Sequence, residues 1–211
     1  WTTNTGLPHL TSDFSGNVQV SDTEAIIQAD ALYDGGNLIH VLINTQGGNL
    51  KDYPFNTTTN TFGTALALAS GNPTVAGNYL GSGGVTGMFD INGKMHIAYW
   101  SSNNHITYRS YVYDTNNALV LNEGPTQIDT SGSSNHPHLV VSPLDNSITI
   151  AWISQATNPA RILARTKNAA TWDTIETVST GAVWTSTNFG INIDQGPNMV
   201  IDATGIRHLV Y

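Results

Sequence analysis

Histidine and aspartate recur together in this chain. His40, His96 and His208 each follow an aspartate, Asp34, Asp90 and Asp202, by six residues. An imidazole beside a carboxylate is a polarised acid–base pair, and several imidazoles gathered on one axis could ring a metal ion. Recurrence argues against both, because a catalytic or metal site is built once whereas a framework contact is built in every unit. The sequence therefore assigns these pairs to structure. Each Asp is expected to accept a hydrogen bond from its His or from the turn between them. A looser copy has Pro143 and Thr149 in those places, so both partners vanish together.

Other groupings are local. His136-Pro-His138 has the spacing of two ligands on one strand face, but no third ligand is evident and the chain has no cysteine. No metal residue is assigned, although carbonyl-rich loops can hold a structural Ca²⁺ without a motif. His105, Tyr108 and Arg109 combine a base with a charge neutraliser, as a lyase would require. Trp100, Trp184, Tyr79 and Tyr111 lie amid Asn and Thr, offering aromatic faces and amides of the kind that hold a sugar ring. The ligand-binding candidates are Trp100, His105, Tyr108, Arg109 and Trp184, and no residue is given a catalytic role.

The elements that must position these residues form a repeat. Four segments read alike: Ala31 to Ile43, Gly87 to Tyr99, the looser Leu139 to Trp152, and Met199 to Tyr211. Asp34 to Asp90 is 56 residues, and Asp90 to Asp202 is 112, twice that. Each copy reads as strand, tight turn with Gly or Asn, and a second strand rich in Val, Ile, Tyr and Trp. Third strands follow at Leu50 to Phe55, Ile106 to Tyr113 and Ile162 to Lys167, and a fourth passes through Thr171 to Val178. Thr64 to Ser70 has helix-like composition, yet in phase it belongs to a fourth strand. Aligned second strands place Val41, Ile97, Ile150 and Leu209 in one column and Leu42, Ala98, Ala151 and Val210 in the next. Two adjacent apolar columns mean that both faces are buried.

Four-stranded antiparallel units in tandem predict an all-β fold, a β-propeller, with almost no helix. Four full repeats of 56 would outrun the 211 residues by about one strand and its turn. The expected division is a partial blade at 1–25, blades near 26–80, 81–135 and 136–190, and a partial blade at 191–211. Because the chain begins at Trp1, it reads as a mature or trimmed product. Further polypeptide or a second chain is expected to complete the ring.

Composition narrows the setting. Only 10% of residues are charged, and seven Lys and Arg face fifteen Asp and Glu, for a formal charge of −8. No basic cluster exists to release counterions from a phosphate backbone, so nucleic acid is not expected as a partner. No apolar run is long enough to span a bilayer as a helix, and membrane insertion is not expected. A surface of Thr, Ser, Asn and Gly suits a secreted, extracellular or cell-surface protein.

The pattern Asp-x-x-Gly-x-x-His-x-x-Tyr, followed by a Tyr-rich strand and Thr-Trp, resembles the repeats of sialidase-type propellers with Asp-box (BNR) motifs. That superfamily includes glycosidases, polysaccharide lyases and sugar-binding lectins. Its motif, Ser-x-Asp-x-Gly-x-Thr-Trp, is present only as Thr166-Lys-Asn168-Ala-Ala-Thr171-Trp172, one residue short and without the Asp or Gly. The resemblance implies a propeller. Glycosidase chemistry needs two flanking carboxylates, or a Tyr nucleophile in sialidases, and the chain offers Glu24, Glu123 and Glu176. Sialidase relatives clamp a sugar carboxylate with three arginines. Of Arg109, Arg161, Arg165 and Arg207, two share one strand. The expectation is therefore an extracellular propeller module that binds glycan and is not itself catalytic. One alternative is part of a polysaccharide-active enzyme, a sialidase-like glycosidase or a lyase, completed by a further segment. The other is a structural or adhesive surface protein whose incomplete unit is closed by another chain.

Overall fold

The computed structural model describes residues 20, 22–24, 26–45, 47–70, 84–101, 104–157, 159–179 and 196–211. Within them, sixteen strands form four antiparallel sheets with almost no helix. The first sheet contains β1 (Ile26–Tyr33), β2 (Leu38–Thr45) and β3 (Leu50–Asn56), with β4 (Thr61–Phe62) and β5 (Leu66–Ala69) both pairing β3. The second is β6 (Val85–Phe89), β7 (Met95–Ser101), β8 (His105–Tyr113) and β9 (Leu119–Gln127). The third is β10 (Ser134–Val141), β11 (Ile148–Ser154) and β12 (Arg161–Asn168), edged by β13 (Thr171–Trp172) and β14 (Glu176–Thr177). β15 (Asn198–Ile201) and β16 (Arg207–Val210) make the fourth.

Local chemistry explains the meanders. The turns from first to second strand pass through Gly35, Gly93 and Gly205 at φ of 83°, 76° and 84°, a region open to glycine at no steric cost. Thr64 to Ser70 contains β5 as expected, with β4 before it, whereas Thr171 to Val178 holds two strands, β13 and β14. In the first and third sheets the outer strand breaks in two, and only β9 runs unbroken. At the third-sheet break the backbone turns back, with the Asp173 N–H donating to the Thr166 carbonyl at 2.8 Å.

Packing is sheet on sheet. Leu32, Leu42 and Leu50 of the first sheet meet Val85, Met95 and Ile97 of the second. Ala98, Ile106 and Tyr108 then meet Leu139, Ile150 and Trp152 of the third, and Ala151 and Ile153 meet Met199 of the fourth. The second and third sheets therefore bury both faces, and at roughly 25 cal/mol per Å² of apolar surface this burial is the main stabilising term. The two-column expectation fails at β16, where Val210 is exposed, because among the described residues apolar packing reaches this sheet from one side.

The first strands also touch in series, β1 on β6, β6 on β10 and β10 on β15. A first strand has one edge without a strand partner, and an unpaired buried N–H is costly. Side chains of the preceding sheet meet that need. Asp30 Oδ2 accepts from the Gly87 N–H at 3.0 Å, Thr86 Oγ1 from Leu139 at 3.4 Å, and His138 Nδ1 from Met199 at 3.3 Å.

Candidate functional site

The three aspartates of the hairpins bend backbone. Asp34 Oδ1 accepts the N–H groups of Gly36 and Leu38 at 2.8 and 3.1 Å. Asp90 Oδ1 does the same for Asn92 and Lys94, both at 2.9 Å, and Asp202 Oδ1 for Thr204 and Ile206 at 2.9 and 3.0 Å. Short acidic side chains favour such turns because the carboxylate can reach its own backbone two residues on. In the third sheet the acid sits later in the turn, where Asp145 accepts from Ser147 at 3.0 Å. Asp114 repeats the arrangement between β8 and β9, taking Asn116 and Ala118 at 2.9 and 2.8 Å.

The histidines differ among themselves. His208 Nε2 bonds Asp202 Oδ2 at 2.9 Å, and His96 Nε2 approaches Asp90 Oδ2 at 3.4 Å. His40 does not pair with Asp34. Its Nδ1 meets Asp52 Oδ2 on β3 at 2.7 Å, and its Nε2 meets the Tyr113 hydroxyl of the second sheet at 2.7 Å. Asp52 stands across the strand pair where the imidazole can reach it. His96 Nδ1 makes the equivalent contact with the Tyr108 hydroxyl at 2.8 Å, again twelve residues on. Burial pushes the His96 imidazole below its ordinary value of 6.5 despite Asp90, which pulls the other way.

The ligand-binding candidates do not assemble. His105, Tyr108 and Arg109 share β8, but successive residues face opposite ways, and each has its own partner. Tyr108 is fully buried, edge-on to Trp172 with ring centroids 5.2 Å apart. Burial holds its hydroxyl far above the usual tyrosine range, so it stays protonated and is no base at neutral pH. His105 Nδ1 bonds Asp129 Oδ1 at 3.0 Å at the head of the sheet, where first and third strands begin. Arg109 lies about 13 Å further along the strand at the usual rise per residue, and its Nη1 donates to the Leu68 carbonyl at 2.5 Å. Trp100 is half-buried against the apolar layer between second and third sheets. Trp184 and Tyr79 lie outside the described residues, and Tyr111 is buried with its hydroxyl donating to the Leu68 carbonyl at 3.1 Å.

Arg109 belongs to a series that residue identity hid. Tyr53, Arg109 and Arg165 are 56 residues apart and stand directly opposite Val41, Ile97 and Ile150. Each reaches back toward the preceding part of the chain. Tyr53 donates to Asp22 Oδ2 at 2.6 Å, Arg109 to Leu68, and Arg165 Nη1 to the Ile128 carbonyl at 3.0 Å. Lys51 adds two bonds to Asp22 at 2.9 and 2.8 Å, and these partners hold that carboxyl well below the usual range. Glu176 is exposed on β14, while the other two glutamates are also engaged: Glu24 takes Thr45 and Asn49, and Glu123 takes Lys167. These arginines and glutamates serve as latches between strands and sheets.

Some polar atoms without such use lie near the heads of the sheets, and others, such as Asn146 Oδ1 and Trp172 Nε1, lie at the opposite ends. Gln28 Oε1, both amide atoms of Asn44, Asp129 Oδ2, Asn135 Oδ1 and Arg161 Nη1 are buried with no hydrogen-bond partner. Gln28 and Asn44 are cross-strand neighbours on β1 and β2. Buried polar groups are normally paired, and these atoms are unpaired, closed to solvent and distributed over three sheets. Among the described residues no group of three or more His, Asp or Glu side chains converges as a metal site would. Neither a protein-family model nor a curated protein matches this chain.

Proposed function

We propose that this chain is a β-propeller segment of sialidase type that works outside the cell as a non-catalytic glycan-binding module. The observation that carries the reading is that Trp100 and His105 stand at the head of the second sheet and are both only partly buried, His105 with 21% of its side chain exposed. An aromatic face and a polar side chain open to solvent match the two sides of a sugar ring. Successive meanders touching through their first strands support the propeller architecture, and the sparsely charged composition supports the extracellular setting. The test is a glycan array followed by calorimetry on the intact chain. Saturable binding of a neutral oligosaccharide, weakened in Trp100→Ala with the fold retained by circular dichroism, is the expected result. An array without hits overturns the reading.

A structural or adhesive protein is the second reading, favoured by one observation. The outer edge of β16 has no strand beside it among the described residues, and sheet edges of this kind pair with other polypeptide.

A further inference from the structure

Three of the four sheets have a third strand, and in each it places comparable residues against the second. Opposite Leu42, Ala98 and Ala151 stand Asp52, Tyr108 and Ala164; opposite Val41, Ile97 and Ile150 stand Tyr53, Arg109 and Arg165. Asp52 and Tyr108 bond the Nδ1 of His40 and His96. Tyr53, Arg109 and Arg165 latch onto an earlier sheet or segment. On β16 the corresponding positions are Leu209 and Val210, preceded by His208.

What is covered elsewhere is open here. The His208 side chain is 56% exposed, against 2% for His40 and 5% for His96. Val210 is 74% exposed, whereas Leu42, Ala98 and Ala151 are at 0%. His208 uses Nε2 for Asp202, as His96 uses Nε2 for Asp90, so Nδ1 is the atom left to face a third strand.

A second observation comes from another sheet. Ile128 and Val178 occupy equivalent places, their N–H groups donating to the carbonyls of Ile106 and Ile162 at 2.8 and 2.9 Å. Ile128 lies under the Arg165 latch and Leu68 under the Arg109 latch, at 0% and 4% exposure. Val178 is 37% exposed. The position that a further third strand would clasp is therefore as bare as the edge on which it would lie.

We infer that the outer edge of β16 docks one further antiparallel strand with the third-strand pattern. That strand carries an apolar residue, any residue, then Asp or Tyr opposite Val210 to bond His208 Nδ1, then Arg or Tyr opposite Leu209 to reach the Val178 carbonyl. Main-chain bonds to the edge supply affinity and the two side chains supply specificity. The inference rests on the equivalence of the sheets, so failure of glycan binding leaves it intact.

A synthetic peptide with the β8 sequence, HITYRSYVY, is the probe. It is titrated into the intact chain while the His208 ring resonances and hydrogen exchange along β16 are followed. Saturable movement of the His208 signals with new protection on β16 is expected. A peptide with Tyr108→Ala and Arg109→Ala should bind at least tenfold more weakly, and His208→Ala in the protein should weaken the parent peptide similarly. Unmoved His208 signals overturn the inference. Equal binding of a scrambled peptide overturns it as well, since that would be non-specific edge adhesion. Self-association through β16 in sedimentation, competing with the peptide, would replace the proposed occupant with a second copy of this chain.

Discussion

Replacing His40 with Phe removes one bond within the first sheet, to Asp52, and one to Tyr113 of the second. The ring is retained, and it already lies 5.2 Å from the Phe89 ring centroid, so packing changes little. Two hydrogen bonds are lost. Asp52 is buried with its Oδ1 already unpartnered, and removing His40 leaves Oδ2 without its bond as well. Breaking one side of such a buried pair costs roughly 3–5 kcal/mol, and the Tyr113 hydroxyl loses its partner in addition. His96→Phe makes an internal comparison. There Asp90 keeps its two backbone bonds and gives up only the 3.4 Å contact, while the Tyr108 hydroxyl is orphaned. One buried hydroxyl left unpaired costs about 1–3 kcal/mol. Urea unfolding followed by tryptophan fluorescence gives both values from the shift in midpoint at constant slope. His40→Phe must be the more damaging of the two, and Asp52→Leu added to it should recover part of the loss. Equal costs, or a loss below about 1 kcal/mol for His40→Phe, would refute the assignment of His40 and Asp52 as a buried pair.

Gly87→Ala places a Cβ 2.8 Å from both the His96 carbonyl and the Leu32 side chain, so overpacking of about 1–3 kcal/mol is expected in the same unfolding assay. The Asp22 carboxylate pushes the Tyr53 hydroxyl up from 10.0 to about 12. Because the folded value is the higher, this group stabilises the fold below pH 10 and loses that contribution as the pH rises through about 12. In Tyr53→Phe this part of the alkaline loss is absent from a profile of Tm against pH. Burial lowers the His138 imidazole below 6.5. The unfolded chain then binds protons that the folded chain refuses, and stability falls as the pH drops below 6.5. His138→Asn, which keeps an acceptor for Met199, should shrink the decline of Tm on the acid side, and an unchanged slope would count against His138 as its source.

The hairpins and the two-faced second strands were legible because they are written in period and alternation. Asp34, Asp90 and Asp202 stand at fixed spacing, and a short acid before a glycine turn has one favoured local use. Side-chain partnerships between strands were less legible. Asp52, Tyr108 and Ala164 fill the same place with different chemistry, so a search for repeated identity passes over them. The His105, Tyr108 and Arg109 grouping looked like a site because the residues adjoin in sequence, yet neighbours on a strand face opposite ways and each partner lies elsewhere. The arginine latch left a readable trace in the exact recurrence of positions 53, 109 and 165, but its target is a main-chain carbonyl, which no sequence pattern marks. The unpartnered atoms at the sheet heads had no signal of their own, since burial without a partner is set by the neighbouring sheet.

Asp30, Thr86 and His138 each accept one N–H from the sheet that follows, and this gives the assembly a direction. Among the described residues each sheet packs on its immediate neighbours, so damage travels one step at a time, as in linear repeat arrays. Under tension such a molecule yields sheet by sheet, with a separate rupture for each fastening released.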